Sequence, residues 1–175
     1  MPNIITAILL VMGTWLLLWS LFSGVGLLAR RLFGLSLTNL EQWLYAFWVG
    51  YGLTLLGLQI WHLFLPVDEI AFSILVVCGV LGYMVNFRST IQVIRRVIAP
   101  NWWVILLVLI PTIWLADRAL APPVLVDTGA YHAQAVAWAN QYPVVPGIVN
   151  LLWPVGYSIS QYLYMAMLGV GPWAG

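Results

Sequence analysis

Residues 4–28 read IITAILLVMGTWLLLWSLFSGVGLL and carry no charged side chain. A transmembrane helix needs about 20 predominantly apolar residues, because the hydrocarbon core of a bilayer is roughly 30 Å thick. A signal peptide would begin with a basic segment, whereas Arg30 and Arg31 follow this apolar stretch. The stretch therefore predicts a membrane-spanning helix.

The whole chain shares this apolar character. Of its 175 residues, 63% are hydrophobic and 6% are charged, whereas soluble domains have about 25% charged residues. The mean hydropathy is +1.00. This composition excludes a soluble globular domain and a disordered segment, and no cluster of Lys and Arg suggests a nucleic-acid partner. The single cysteine, Cys78, excludes a disulfide framework and a Cys-based zinc site.

Further charge-free stretches predict additional spans. They lie at about 42–65, 70–85, 102–115 and, more weakly because Pro and Gly interrupt it, 151–170. Together with the stretch 4–28, they predict an all-α fold. We expect a polytopic transmembrane helical bundle of about five spans, forming one integral membrane domain over residues 1–175.

The arginines predict the orientation of this bundle. Five of the six fall in the connectors after the first and third spans: Arg30, Arg31, Arg88, Arg95 and Arg96. The positive-inside rule places these two connectors in the cytoplasm. The N-terminus and the helical loop at 116–150 are then predicted to be extracytoplasmic, on the periplasmic or lumenal side.

The connector Asn86–Ala99 has the pattern of a helix that lies in the membrane plane. One face carries Arg88, Gln92, Arg95 and Arg96, and the other carries Phe87, Ile91, Ile94 and Ile98. Such a division favours an interfacial helix whose arginines meet anionic lipid headgroups. The sequence therefore predicts Arg88, Arg95 and Arg96 as headgroup-binding residues, with a plain cytoplasmic connector as the alternative.

The loop 116–150 is the one predicted connector with enough polar residues to form a site. Asp127 and His132 are an acid and an imidazole five residues apart. A carboxylate there can take a proton from an acceptor hydroxyl or bind a divalent cation, and His132 can hold phosphate or orient the carboxylate. Alternatively, Asp127 or Thr128 only caps a helix that runs to about Gln141.

The other imidazole, His62, lies near the predicted outer end of the second span. A histidine at that depth marks a functional site in many membrane proteins. The alternative is that its ring simply reaches water among the headgroups. Asp68 and Glu69, which follow it, are predicted to cap the third span, since carboxylates favour a helix N-terminus.

A resemblance extends this interpretation. The segment Asp127-Thr-Gly-Ala-Tyr131-His132-Ala-Gln-Ala-Val-Ala-Trp138, with the downstream Tyr142-Pro-Val-Val-Pro-Gly-Ile-Val-Asn150, resembles a family of polytopic bacterial membrane proteins of unknown activity, common in cyanobacteria. That family is similar in plan to the GT-C glycosyltransferases, which transfer a sugar from a polyprenyl-phosphate donor.

The resemblance implies a catalytic role for Asp127, with Tyr131 and His132 as the rest of the motif. If the site is active, the carboxylate of Asp127 predicts a divalent cation as a cofactor. Where the family has a His-Gly-Arg-like stretch, this chain has Leu151–Pro154. A truncated N-terminal relative, inactive alone, is therefore expected. The alternative is a non-catalytic membrane subunit of a photosynthetic or transport assembly, with pigment or lipid as ligand and other membrane subunits as partners.

Overall fold

A computed structural model of the chain describes residues 3–35, 39–98, 100, 102–122, 131–151, 153 and 159–171. Seven α-helices lie within them: α1 (Ile4–Leu32), α2 (Leu40–His62), α3 (Glu69–Val85), α4 (Phe87–Val93), α5 (Trp102–Ala119), α6 (Ala133–Gln141) and α7 (Ile159–Gly169). A π-helical turn, Ile94–Ile98, follows α4, and a 3-10 turn, Ile148–Asn150, follows α6. No strand occurs in these ranges, which confirms the predicted all-α class.

Three of these helices, α1, α2 and α5, are long and apolar enough to cross a membrane. A fourth crossing results if α3 and the helical segment after it count as one span, although the two are bent by 75°. The predicted span at 151–170 contains α7, which has 11 residues. Residues 154–158 lie outside the described part of the chain, so a fifth span stays a prediction.

The predicted helix signals are confirmed at several ends. Asp68 Oδ1 accepts hydrogen bonds from the backbone N–H groups of Ile70 and Ala71, at 3.1 and 3.2 Å, and so caps α3. Helix α6 ends at Gln141, two residues before Pro143. Gly147 has a φ of 83°, a conformation that glycine adopts readily because it has no Cβ atom.

The chain forms two compact units, Met1–Tyr51 with Cys78–Pro122, and Gly52–Val77 with Pro123–Gly175. We call them unit 1 and unit 2. In unit 1, a core cluster joins Leu27 of α1, Trp43 and Ala46 of α2, and Val93 of α4.

Small residues let the helix backbones of unit 1 approach closely. A Cβ atom added to Gly26 of α1 would overlap the backbone carbonyl of Ala46 on α2. One added to Gly24 of α1 would overlap the carbonyl of Gly79 on α3, and one added to Gly82 would overlap Gly24. Close approach of this kind is how helices associate where no hydrophobic effect operates between them.

A buried amide joins the ends of α1 and α3. Asn86 Nδ2 donates to the backbone carbonyls of Leu27, at 3.1 Å, and Gly82, at 2.9 Å. Val93 of α4 belongs to the same core cluster as Leu27. Asn86, where the connector after the third predicted span begins, thus bonds to a residue near the end of the first predicted span.

The predicted interfacial segment is helical over Phe87–Val93. Besides the predicted polar and apolar faces, this helix has a third face. Its residues Thr90 and Val93 are buried inside unit 1. The predicted polar face is exposed at Arg88, Arg95 and Arg96. Phe87 and Ile94, which belong to the predicted apolar face, are exposed as well. The lipid-facing arrangement remains a prediction.

Candidate functional site

The candidate site is built in unit 2 from α6, α7 and the connector between α2 and α3. The backbone N–H of Val67 in that connector donates to the carbonyl of Ala139 on α6, at 2.8 Å. Asn140 Nδ2 donates to the carbonyls of Val67, at 2.7 Å, and Ala166 on α7, at 2.9 Å. One side-chain amide thus holds three elements together.

The bond to Ala166 also completes the end of α7. The last four carbonyls of a helix have no partner within it, and Ala166 contributes one of them. The next two, of Met167 and Leu168, accept from Val170 and Gly171. Asn140 supplies the donor that the carbonyl of Ala166 lacks.

The predicted site residues are only partly described. Asp127, the principal candidate, and Thr128 lie outside the described residues. Tyr131 and His132 form the turn before α6, with ring centroids 4.4 Å apart and planes at 78°. The ring of His132 also lies 5.7 Å from that of Tyr162 on α7. The structure therefore brings His132 to an aromatic residue that the sequence analysis did not single out.

His62 is buried at the end of α2. Its side chain is 8% exposed, so the alternative in which the ring extends into headgroup water does not hold. A ring N–H of His62 lies within hydrogen-bonding reach of the backbone carbonyl of Leu65. Its Nδ1 is buried and has no hydrogen-bond partner in the part of the chain that the structure describes. The backbone carbonyl of His62 accepts from the N–H of Val144, at 2.8 Å, and so ties α2 to the segment after α6.

A half-open cavity of about 80 Å³ lies beside His62. Apart from this histidine, its walls are alanine, aliphatic, proline and aromatic side chains, namely Ala135, Trp138, Ala139, Pro143, Val144, Val145, Ile148, Tyr162 and Leu163. Tyr162 therefore contacts His132 and also lines the cavity that His62 lines.

The described residues contain no group of three His, Cys, Asp or Glu side chains that could hold a metal ion. Asp117 forms an exposed ion pair with Arg118, at 2.8 Å, outside unit 2. The predicted divalent cation thus depends on Asp127, whose position is not described. The arrangement in unit 2 offers aromatic surface and imidazole nitrogen rather than a carboxylate cluster.

The described architecture is that of an all-helical protein with at least three helices long and apolar enough to cross a membrane. Residues 8–170 match the model of a family described as a domain of unknown function (DUF8201), and the chain belongs to this family. No curated protein and no solved structure matches the chain.

Two residues of this region escaped the sequence analysis. Asn140 occurs within a helix of low charge, where an amide carries no pattern of its own. Tyr162 follows Gln161 in the interrupted apolar stretch, which was assigned to a span. The one available signal was the polarity of Gln161 and Tyr162 within that stretch, and it does not reveal a contact with His132.

Proposed function

We propose that this chain is a multi-pass membrane protein of the GT-C plan that is inactive alone. In the native membrane, the segment around Asp127 and His132 binds a polyprenyl-phosphate sugar. Two observations support the proposal. One is the sequence motif with Tyr131 and His132, and the other is the contact of the His132 ring with the rings of Tyr131 and Tyr162. Asn140 supports it as well, because its two hydrogen bonds anchor α6 on two other elements.

In this proposal, Asp127 accepts a proton from the acceptor hydroxyl as that oxygen bonds to the anomeric carbon of the sugar, and the bond from this carbon to the phosphate breaks so that polyprenyl phosphate leaves. Alternatively, it binds a divalent cation that neutralises the phosphate of the donor. His132 donates a hydrogen bond to phosphate or orients the carboxylate. Tyr131 and Tyr162 hold the imidazole between them and restrict its rotation.

The proposed topology has five spans, an extracytoplasmic N-terminus and an extracytoplasmic loop at 116–150. Support comes from Asn86, at the start of the second arginine-bearing connector, which bonds to Leu27, three residues before Arg30. The positive-inside rule requires those two connectors to share one side of the membrane. In the same proposal, Arg88, Arg95 and Arg96 contact anionic headgroups there.

The test compares native membranes from cells whose chromosomal gene carries Asp127→Asn, His132→Gln or the control Gln134→Ala. Gln134 is exposed on α6, so its loss should leave turnover of a polyprenyl-phosphate sugar unchanged. We expect a loss of roughly 10²–10⁴-fold for Asp127→Asn, the usual contribution of a general base. Unchanged turnover in both site variants would contradict the proposal.

A second candidate function, a non-catalytic subunit of a larger membrane assembly, is favoured by α5. The structure describes all of this helix, and Ala116 is its only buried residue. The rest of its apolar surface has no contact that buries it within the described part of the chain. A photocrosslinking residue at the exposed Ile110 tests this function in native membranes. Discrete crosslinked protein bands, with normal sugar transfer in the Asp127→Asn strain, would favour the subunit.

A further inference from the structure

The helical segment that follows α3 is bent away from it by 75°. Helix α3 has 17 residues, which is the lower end of the length that crosses a bilayer. The segment after it carries Arg88, Arg95 and Arg96, and arginine is costly inside the hydrocarbon core. The crossing therefore ends with α3, and the bend turns α4 towards the membrane plane.

The exposed surface of α4 and its following turn has a basic side and an apolar side. Successive residues of an α-helix are about 100° apart, so Arg88 lies opposite the buried Thr90 and Val93. Phe87 and Ile94, which are 61% and 40% exposed, lie between the basic and the buried sides. When this apolar side faces the hydrocarbon, the basic side lies beside it at the depth of the headgroups.

The three arginines of this segment have no ion-pair partner in the part of the chain that the structure describes. All three are exposed, and the ion pair of Arg118 with Asp117 involves none of them. The sequence has no acidic residue between Glu69 and Asp117. A phosphate group complements this charge, because a guanidinium group binds phosphate oxygens through two parallel hydrogen bonds.

We propose that α4 and the turn after it form a binding site for one anionic phospholipid. Arg88 and Arg95 hold its phosphate group, and the first part of an acyl chain lies along Phe87 and Ile94. A zwitterionic lipid fits less well, because its own ammonium group offsets the phosphate charge. The inference rests on the headgroup contact in the proposed function and narrows it to one lipid class with two points of contact. It requires neither Asp127 nor a sugar.

Native mass spectrometry of the 175-residue chain in detergent micelles tests the lipid class. The two probes, phosphatidylglycerol and phosphatidylcholine, carry identical dioleoyl chains. An arginine beside an anionic lipid raises the affinity about fivefold, so two arginines should give phosphatidylglycerol a preference of roughly 25-fold. Inorganic phosphate, which has no acyl chain, should not displace the bound lipid.

Two pairs of exposed arginines supply variants of equal net charge. Arg88→Gln combined with Arg95→Gln removes the proposed phosphate contacts and should abolish the preference for phosphatidylglycerol. Arg31→Gln combined with Arg118→Gln removes the same charge from other exposed positions and should leave the preference intact. Because all four side chains are exposed, both double variants should fold, and circular dichroism checks this.

Two exposed apolar residues provide a matched pair for the chain contact. Phe87 is 61% exposed on α4, and Ile110 is 69% exposed on α5. Phe87→Gln removes apolar surface from the proposed site and should weaken the binding of phosphatidylglycerol about tenfold. Ile110→Gln should leave it unchanged.

Four results would overturn the proposal. Equal affinity for the two lipids would show that the site does not recognise charge. Equal losses in the two double variants would show attraction by net charge alone. Displacement by inorganic phosphate, or unchanged binding in Phe87→Gln, would exclude the chain contact. Sugar transfer is judged separately, because Asp127→Asn should keep the lipid preference whether or not it abolishes turnover.

Discussion

Replacing Asn140 should lower the stability of unit 2 as a whole, because its side-chain amide joins α6 to α7 and to the connector between α2 and α3. Asn140→Ala removes the hydrogen bonds to Val67 and Ala166, at 2.7 and 2.9 Å. Each such bond contributes about 1 kcal/mol, and a carbonyl left unpaired costs up to about 3 kcal/mol when buried. Since both hydrogen bonds are only partly buried, we expect the substitution to lower the free energy of unfolding of unit 2 by about 2–4 kcal/mol. Hydrogen exchange of the α6 and α7 amides, measured in nanodiscs, reports this loss locally.

Two further variants make the prediction for Asn140 specific. Gln141→Ala removes an exposed amide one residue away and should change exchange little. Asn140→Asp keeps the shape of the side chain but removes both donors at neutral pH. It should be at least as damaging as alanine there, and lower pH should partly restore protection, because a protonated carboxyl group donates one hydrogen bond. The reasoning fails if Asn140→Ala and Gln141→Ala raise exchange in α6 and α7 equally.

Three other predictions concern the rest of the chain. Gly26→Val should destabilise unit 1 by about 1–3 kcal/mol through overpacking, whereas Gly13→Val, with open space around it, should be nearly neutral in a thermal unfolding assay. A cysteine at Thr128, with Cys78 replaced by Ala, should react with an impermeant reagent added from the extracytoplasmic side, and reaction from the cytoplasmic side alone would reverse the topology. If Asp127 is only a helix cap, Asn should replace it at little cost and Ala should cost about 1 kcal/mol, while a catalytic carboxylate should lose activity with either substitution.

Local signals predicted the helices well because each acts within a few residues. Uncharged length predicted α1, whose observed start is at Ile4 as expected. Asp68 caps α3 through its own neighbours, and Pro143 ends α6 because proline disfavours helical conformation in the residue before it. None of these features depends on another part of the chain.

The contacts that build the candidate site are of a different kind. Asn140 bonds to Val67, 73 residues away, and neither residue belongs to a pattern that specifies the other. Gly26 was part of an apolar stretch whose hydrophobicity gave no sign of its contact with Ala46. His62 was predicted near the outer end of the second span, and its backbone carbonyl bonds to Val144, far along the chain. A single sequence contains no signal for such pairs.

The two units also use different physical means to hold their helices together. In unit 1, helices approach through glycines such as Gly26, which buries backbone against backbone and needs no polar group. In unit 2, Asn140 links its elements by hydrogen bonds, and the cavity beside His62 leaves space between side chains. Close packing suits a rigid support, since interiors packed to high density resist deformation. In unit 2, the amide of Asn140 holds α6 to α7 and to the connector at Val67, and this arrangement leaves the space of the cavity unfilled.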